Sequence, residues 1–271
     1  MPTARPVGDL LRQWRQRRRM SQLDFAVEAN ISTKHLSFLE TGRSQPSREM
    51  LLHLTELLEV PLRERNTLLT AAGFAPVFQE RALSDPALQA ARAAVERVLQ
   101  AHEPFPALAV DRHWSLLAAN SAVRHLMQVA DATLLQPPIN VLRVSLHPAG
   151  LAPHIVNLGE WREHLFGRLR RQIEVTGDAS LGALLEELKG YPGPTHSASE
   201  TERLQAAFIV PMRLAVGGEV LSFISTTTVF GTPLDITLAE LAIEAFLPAD
   251  LVTTRKLMAS IPDERGTLRD A

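Results

Sequence analysis

The stretch Met20 to Ser47, MSQLDFAVEANISTKHLSFLETGRSQPS, constrains the fold of this chain more than any other. Ser21 is placed to cap a helix whose apolar residues Leu23, Phe25 and Ala26 are expected to face inward. Asn30 falls where the chain must turn sharply, and Asn tolerates the left-handed conformation better than most residues. Ile31 is expected to plug the turn. Ser32 is placed to cap a second helix running to about Glu40, with Leu36 and Leu39 buried at a helical spacing. The other face of that helix carries Thr33, Lys34, Ser37 and Phe38, and Gly42 ends it. Two helices joined by so short a turn form the unit that places a helix end in a DNA major groove.

The segment SQLDFAVEANIS followed by HLSFLETGRSQPS resembles the Xre-type helix-turn-helix, and the likeness spans about residues 7–73. Asn30 stands where that family usually has Gly, and Phe38 where a polar residue is commoner. The resemblance implies double-stranded DNA as a partner. The candidate reading residues are Gln22, Ser32, Thr33, Lys34, Ser37 and Phe38, with Thr41, Arg43 and Ser44 placed for backbone contacts. An exposed Phe38 ring could pack on a thymine methyl. Arg15 and Glu40 match positions that usually pair, and as an exposed pair they would contribute only about 0–1 kcal/mol. Arg17, Arg18 and Arg19 could grip phosphates or simply be solvated.

The charge distribution agrees. Residues 1–75 carry 11 Lys and Arg against 8 Asp and Glu, a balance of +3, while the rest carries 17 against 22. A basic head on an acidic body directs phosphate attraction to one end. The chain has no cysteine, which excludes disulfides, thiolate metal sites and cysteine nucleophiles. No run is long and apolar enough to span a bilayer, and the basic N-terminus lacks an apolar signal stretch, so a cytoplasmic location is expected. Neither a Gly-x-Ser-x-Gly elbow nor a P-loop is present, so no enzymatic activity is expected.

Further helices are expected over 7–18, 48–59 and 61–72, then a linker over 74–84 and a helix over 87–101. PALAVDRHWSLLAAN reads as strand, tight turn and strand, leading into a helix over 121–129. A short helix over 141–146, a long amphipathic helix over 158–176 and another over 180–189 follow. FIVPMRLAV and EVLSFISTTTVF then form a hairpin about Gly217-Gly218. LDITLAELAIEAF suits either a last strand or a helix, and a C-terminal helix closes the chain.

This order predicts an α+β chain: an all-α five-helix N-terminal domain, then an antiparallel sheet covered by helices. The strand and helix order resembles a PAS domain. NVLRVSLHPAGLAPHIVNLGEW, PMRL and STTTVFGTPLDITLAELAIEAFLPAD are similar to the ligand-binding half of MmyB-like transcription regulators, over about 105–257. The expected domains are 1–75 for DNA binding, 76–103 as linker and connecting helix, and 104–271 as the PAS-like ligand-binding domain. The resemblance implies a fatty-acid-like ligand, with no other cofactor, and a homodimer is expected.

The apolar residues Trp114, Leu116, Met127, Leu142, Trp161, Leu165, Leu169, Phe208 and Phe223 lie on elements that should converge around that ligand. A solid core serving only dimerisation or partner binding is the alternative. Arg143, Arg162 or His164 could meet a carboxylate at the mouth. Glu160 and His164 have a spacing that could suit a metal, but no second ligand pair accompanies them, and a surface pair is the plainer expectation. His147 and His154 flank a Pro-rich loop and could orient a ligand or be ordinary loop residues.

Overall fold

The computed structural model describes residues 6–194, 210–231, 233 and 235–259. The chain separates into two compact units. One comprises residues 6–82 together with 174–177, 233 and 235–239, and the other holds the remaining described residues.

The first unit contains α1 (Val7–Arg17), α2 (Gln22–Glu28), α3 (Thr33–Glu40), α4 (Arg48–Leu57) and α5 (Leu62–Ala71). Ser21 and Ser32, read as caps, cap α2 and α3, and Ser47 caps α4 as well. Ser21 Oγ accepts from Asp24 N while Asp24 accepts from Ser21 N, a reciprocal capping box. Ser32 and Ser47 accept from His35 N and Met50 N, at 3.1 Å each. Leu11, Trp14, Phe25, Leu36, Leu39, Leu51, Leu54, Leu58 and Leu68 form one apolar core. Leu23 does not join it, being 61% exposed. Phe25, Ala26 and Ala29 define the inward stripe of α2, and Leu23 lies two positions before Phe25, on the far side of a helical turn. Gly8 permits the crossing of α1 and α3, because a Cβ there would meet Leu39 O at 2.4 Å and Glu40 O at 2.7 Å. Residues 77–78 are pinned to α5, since Asn66 Oδ1 accepts from Val77 N and Phe78 N and Asn66 Nδ2 donates to Phe78 O.

The second unit carries α6 (Gln89–Ala101), β1 (Ala107–Val110), β2 (Leu116–Ala119), α7 (Ser121–Met127), α8 (Val141–Leu146), α9 (Leu158–Thr176) and α10 (Ala179–Lys189). After these come β3 (Met212–Val216) and β4 (Glu219–Val229), then β5 (Ala242–Pro248) and α12 (Leu251–Ala259); the short α11 (Ile236–Ala239), between β4 and β5 in the chain, belongs to the first unit, as do the last residues of α9. Thus the segment that suited helix or strand is both: a helical turn and then a strand. Among the described residues the strands form one antiparallel sheet in the order β2-β1-β5-β4-β3. Gly217 and Gly218, both at positive φ, make the β3–β4 turn.

Strand alternation gives the sheet two apolar faces. Ala107, Ala109, Ile243 and Ala245 pack with Val95 and Leu99 of α6. Leu108, Val110, Met212, Leu214, Leu221 and Phe223 pack on the other side with α7, α8, α9 and α10. This α+β chain therefore has a helical head and a helix-covered antiparallel sheet, and the larger core lies between sheet and helices.

Candidate functional site

In the helical head, Asn30 takes φ +54° and lets the chain reverse between α2 and α3. Ile31 N then donates to Ala26 O at 2.9 Å, which closes the turn, and Ile31 packs against the core. The start of α3 is consequently held outward, with Ser32, Thr33 and Lys34 all exposed. Ser37 and Phe38 are half-buried one turn later, and Thr41 and Arg43 are exposed beyond the helix. The Phe38 ring is flanked by two cations, Lys34 Nζ at 5.7 Å and Arg43 Cζ at 5.8 Å. Arg43 N and Ser44 N both donate to Phe38 O, which fixes the loop following α3. Thr41 Oγ1 donates to Ser37 O.

Arg15 and Glu40 do pair, but not as an exposed pair. Their side chains are 8% and 1% exposed, with Nε and Nη2 donating to the two carboxylate oxygens at 2.6 and 2.9 Å. The Glu40 hydrogen bond and charge raise the affinity of Arg15 for its proton against the opposing cost of burial. Gln22 Nε2 also donates to Glu40, at 2.7 Å, so this amide is held by the pair. Of the three consecutive arginines, Arg18 donates to Leu58 O and Glu59 O and so satisfies the end of α4. Arg17 lies over the Trp14 ring.

The second unit holds an apolar cavity of about 80 Å3, partly open to solvent, between the sheet and α7, α8 and α9. Five residues read from the sequence, Trp114, Met127, Leu142, Trp161 and Leu165, line it. Leu116, Leu169 and Phe223 belong instead to the surrounding packed core. The reason for Leu169 is helical phase: steps of four residues drift by about 40° each, so by the second step it has turned away from Trp161. Phe208 lies outside the described residues. Sequence reasoning missed Leu108, Val123, Leu126, Val144, Met212 and Phe246 on the wall. Strand alternation on β1, β3 and β5 was the signal available for three of them.

It also missed the charged part of the wall. Arg168 and Glu244 line the cavity and bind each other, Nη1 to Oε2 at 2.9 Å and Nη2 to Oε1 at 2.7 Å. Arg168 sits one helical repeat beyond Trp161 and lies over the Trp114 ring at 4.8 Å. Trp114 itself has φ +67°, at the end of a turn in which Asp111 Oδ1 accepts from His113 N and Ser115 N. Its Nε1 donates to Gln172 at 2.9 Å, and Trp161 Nε1 donates to Ser145 Oγ at 3.1 Å.

The three groups expected to meet a carboxylate are placed elsewhere. Arg143 is paired with Glu187, and this guanidinium holds the Glu187 carboxyl down from 4.5 to about 2. Arg162 is buried and donates to Lys189 O and Pro192 O. His164 is not a surface residue: its ring stacks on Trp161 at 5.2 Å, and its buried Nε2 has no partner among the described residues. Burial, then the charges of Arg168 and Arg171, lower its pKa. Glu160 accepts from Asn157 instead of joining a metal set, and the described residues hold no cluster of three or more metal-type ligands. His147 packs edge-on against Tyr191 and accepts from Ala149 N.

The helix-turn-helix geometry has its counterpart in the families matched. Residues 6–68 match the helix-turn-helix domain family. Residues 91–259, more than half of the chain, match the MmyB-like transcription regulator ligand binding domain. The chain belongs to the MmyB-like transcription regulators. No curated protein matches it. This MmyB-like chain is therefore a DNA-binding transcription regulator with a ligand-binding domain, and neither matched family is an enzyme family. Among its described residues no helix is long and apolar enough to cross a membrane.

Proposed function

We propose that the exposed start of α3 reads DNA and that the cavity under the sheet takes a small apolar ligand of the fatty-acyl kind. The proposed domains are 1–75 for DNA, 76–103 as connection and 104–271 as a PAS-like sensor. The sheet order β2-β1-β5-β4-β3, with helices over one face and a cavity beneath them, supports the PAS-like reading.

For DNA, the observation that carries the reading is the exposure of Ser32, Thr33 and Lys34 at the leading end of α3. Thr33 and Lys34 are nearest to base edges, with Ser37 and the Lys34–Phe38–Arg43 group behind them. Gln22, Thr41, Arg43 and Ser44 suit phosphate contacts. Replacing Thr33 and Lys34 together by Ala should weaken binding to a DNA site selected from a random pool, with the melting temperature unchanged. Unchanged affinity would sink this assignment of the reading face.

For the ligand, the carrying observation is an apolar cavity walled by two tryptophans and bounded by flexible Met127 and Met212. A chain longer than the cavity holds unaided would be seated by movement of those methionines. A homodimer would match two half-sites about 34–36 Å apart. Mass spectrometry of the freshly purified protein, native and then denatured, tests the ligand reading. A stoichiometric acyl compound supports it, whereas a clean apo mass with no rise in melting temperature on adding acyl compounds favours a domain that only dimerises.

A further inference from the structure

A buried carboxylate stands where the strand pattern calls for an apolar residue. Glu244 on β5 alternates with Ala242 and Phe246 toward the larger core, while Ile243 and Ala245 face α6. It is 3% exposed. Its charge is matched by Arg168 on α9, whose side chain is 20% exposed. Thr227 completes the group, donating to Glu244 Oε1 at 2.8 Å and accepting from Arg168 Nη2 at 2.9 Å. No other charged side chain lines the cavity among the described residues.

The polar end of the cavity is therefore already neutral. A guanidinium has five N–H donors. Three of those on Arg168 are engaged, by Glu244 twice and Thr227 once. Nε–H and one Nη1–H have no partner among the described residues. A ligand carboxylate at these donors would put two carboxylates on one guanidinium and leave an excess negative charge beside the buried Glu244. An uncharged oxygen acceptor would take the same donors with no excess charge.

The geometry points to a ligand whose head group is uncharged, an ester, amide or alcohol oxygen accepting from Arg168, with Glu244 acting as the specificity residue that turns away the carboxylate anion. This inference rests on the acyl-ligand reading of the cavity proposed above and refines it.

The test compares decanoate with methyl decanoate at pH 8 on the full chain. Trp114 and Trp161 both line the cavity, so tryptophan fluorescence reports binding. The wild-type chain should prefer the ester. Glu244→Gln, which leaves Arg168 charged and unmatched, should shift the acid-to-ester affinity ratio toward the acid by about tenfold or more, the scale of a charge-assisted hydrogen bond. The ratio removes the ester's greater intrinsic hydrophobicity from the comparison. Wild-type protein that binds decanoate more tightly than the ester overturns the inference without any variant. So does a ratio that Glu244→Gln leaves unmoved. Failure of both probes to bind either protein overturns the acyl-ligand reading itself, and this refinement with it.

Discussion

Replacing Glu40 by Ala leaves Arg15 as a buried cation whose remaining acceptor among the described residues is the Met20 carbonyl. Removing one partner of a buried pair typically costs about 3–5 kcal/mol, far above the value for an exposed pair. The first calorimetric transition of Glu40→Ala should accordingly fall by many degrees, and a shift within error would show that the pair carries no weight. At His164 the direction is opposite. Its buried Nε2 is unpartnered, and replacing the ring by Phe should raise stability by ~1–3 kcal/mol while keeping the stack on Trp161. The folded pKa of this histidine is lowered from 6.5, so the unfolded chain takes up its proton first as pH falls. Stability from His164 is therefore complete above pH 6.5 and is lost as pH drops below it toward the folded pKa. Urea denaturation of His164→Phe against wild type should show a gap that widens as pH falls below 6.5. A gap independent of pH would rule out the titration argument.

At the scale of elements, the α2–α3 turn is strained at one residue. Asn30 at φ +54° pays part of the cost that Gly avoids, so Asn30→Gly should stabilise the head by up to about 1 kcal/mol. Asn30→Val, whose branched side chain resists positive φ, should destabilise it. Melting temperatures in the reverse order would contradict the turn assignment. This turn, with its capping serines at 21 and 32, was legible in the sequence because the chemistry is local. The long helix over 158–176 was equally legible in its bounds, but its phase was not. A spacing of four picks out Trp161, Leu165 and Leu169, whereas the cavity sees Trp161, Leu165 and Arg168. Arg168 passed unread because an arginine between apolar positions ordinarily marks a solvated face. Only the pairing of Thr227 with Glu244 across β4 and β5 shows why it turns inward. Trp114 at positive φ was likewise unforeseeable, as its backbone is set by the turn that Asp111 holds and its ring nitrogen is anchored by Gln172 on a distant helix.

For the whole molecule, the basic balance of residues 1–75 and the acidic balance of the remainder put the phosphate attraction where α3 is exposed. Binding to DNA should weaken steeply with salt, log affinity falling linearly with log salt at a slope of about −0.9 per phosphate neutralised. Lys34→Ala should lessen that slope by about one if Lys34 meets a phosphate, and leave it unchanged if Lys34 reads a base. A ligand changes the DNA equilibrium only through unequal affinity for the DNA-bound and free forms. The most direct measurement is therefore the affinity of the full chain for its selected DNA site, by fluorescence anisotropy, with and without saturating methyl decanoate. The expected result is a change of about 5-fold or more in either direction, the usual scale of coupling between two sites. Bound ligand with identical DNA affinity would contradict the account, leaving a DNA-binding domain and a ligand-binding domain that do not communicate.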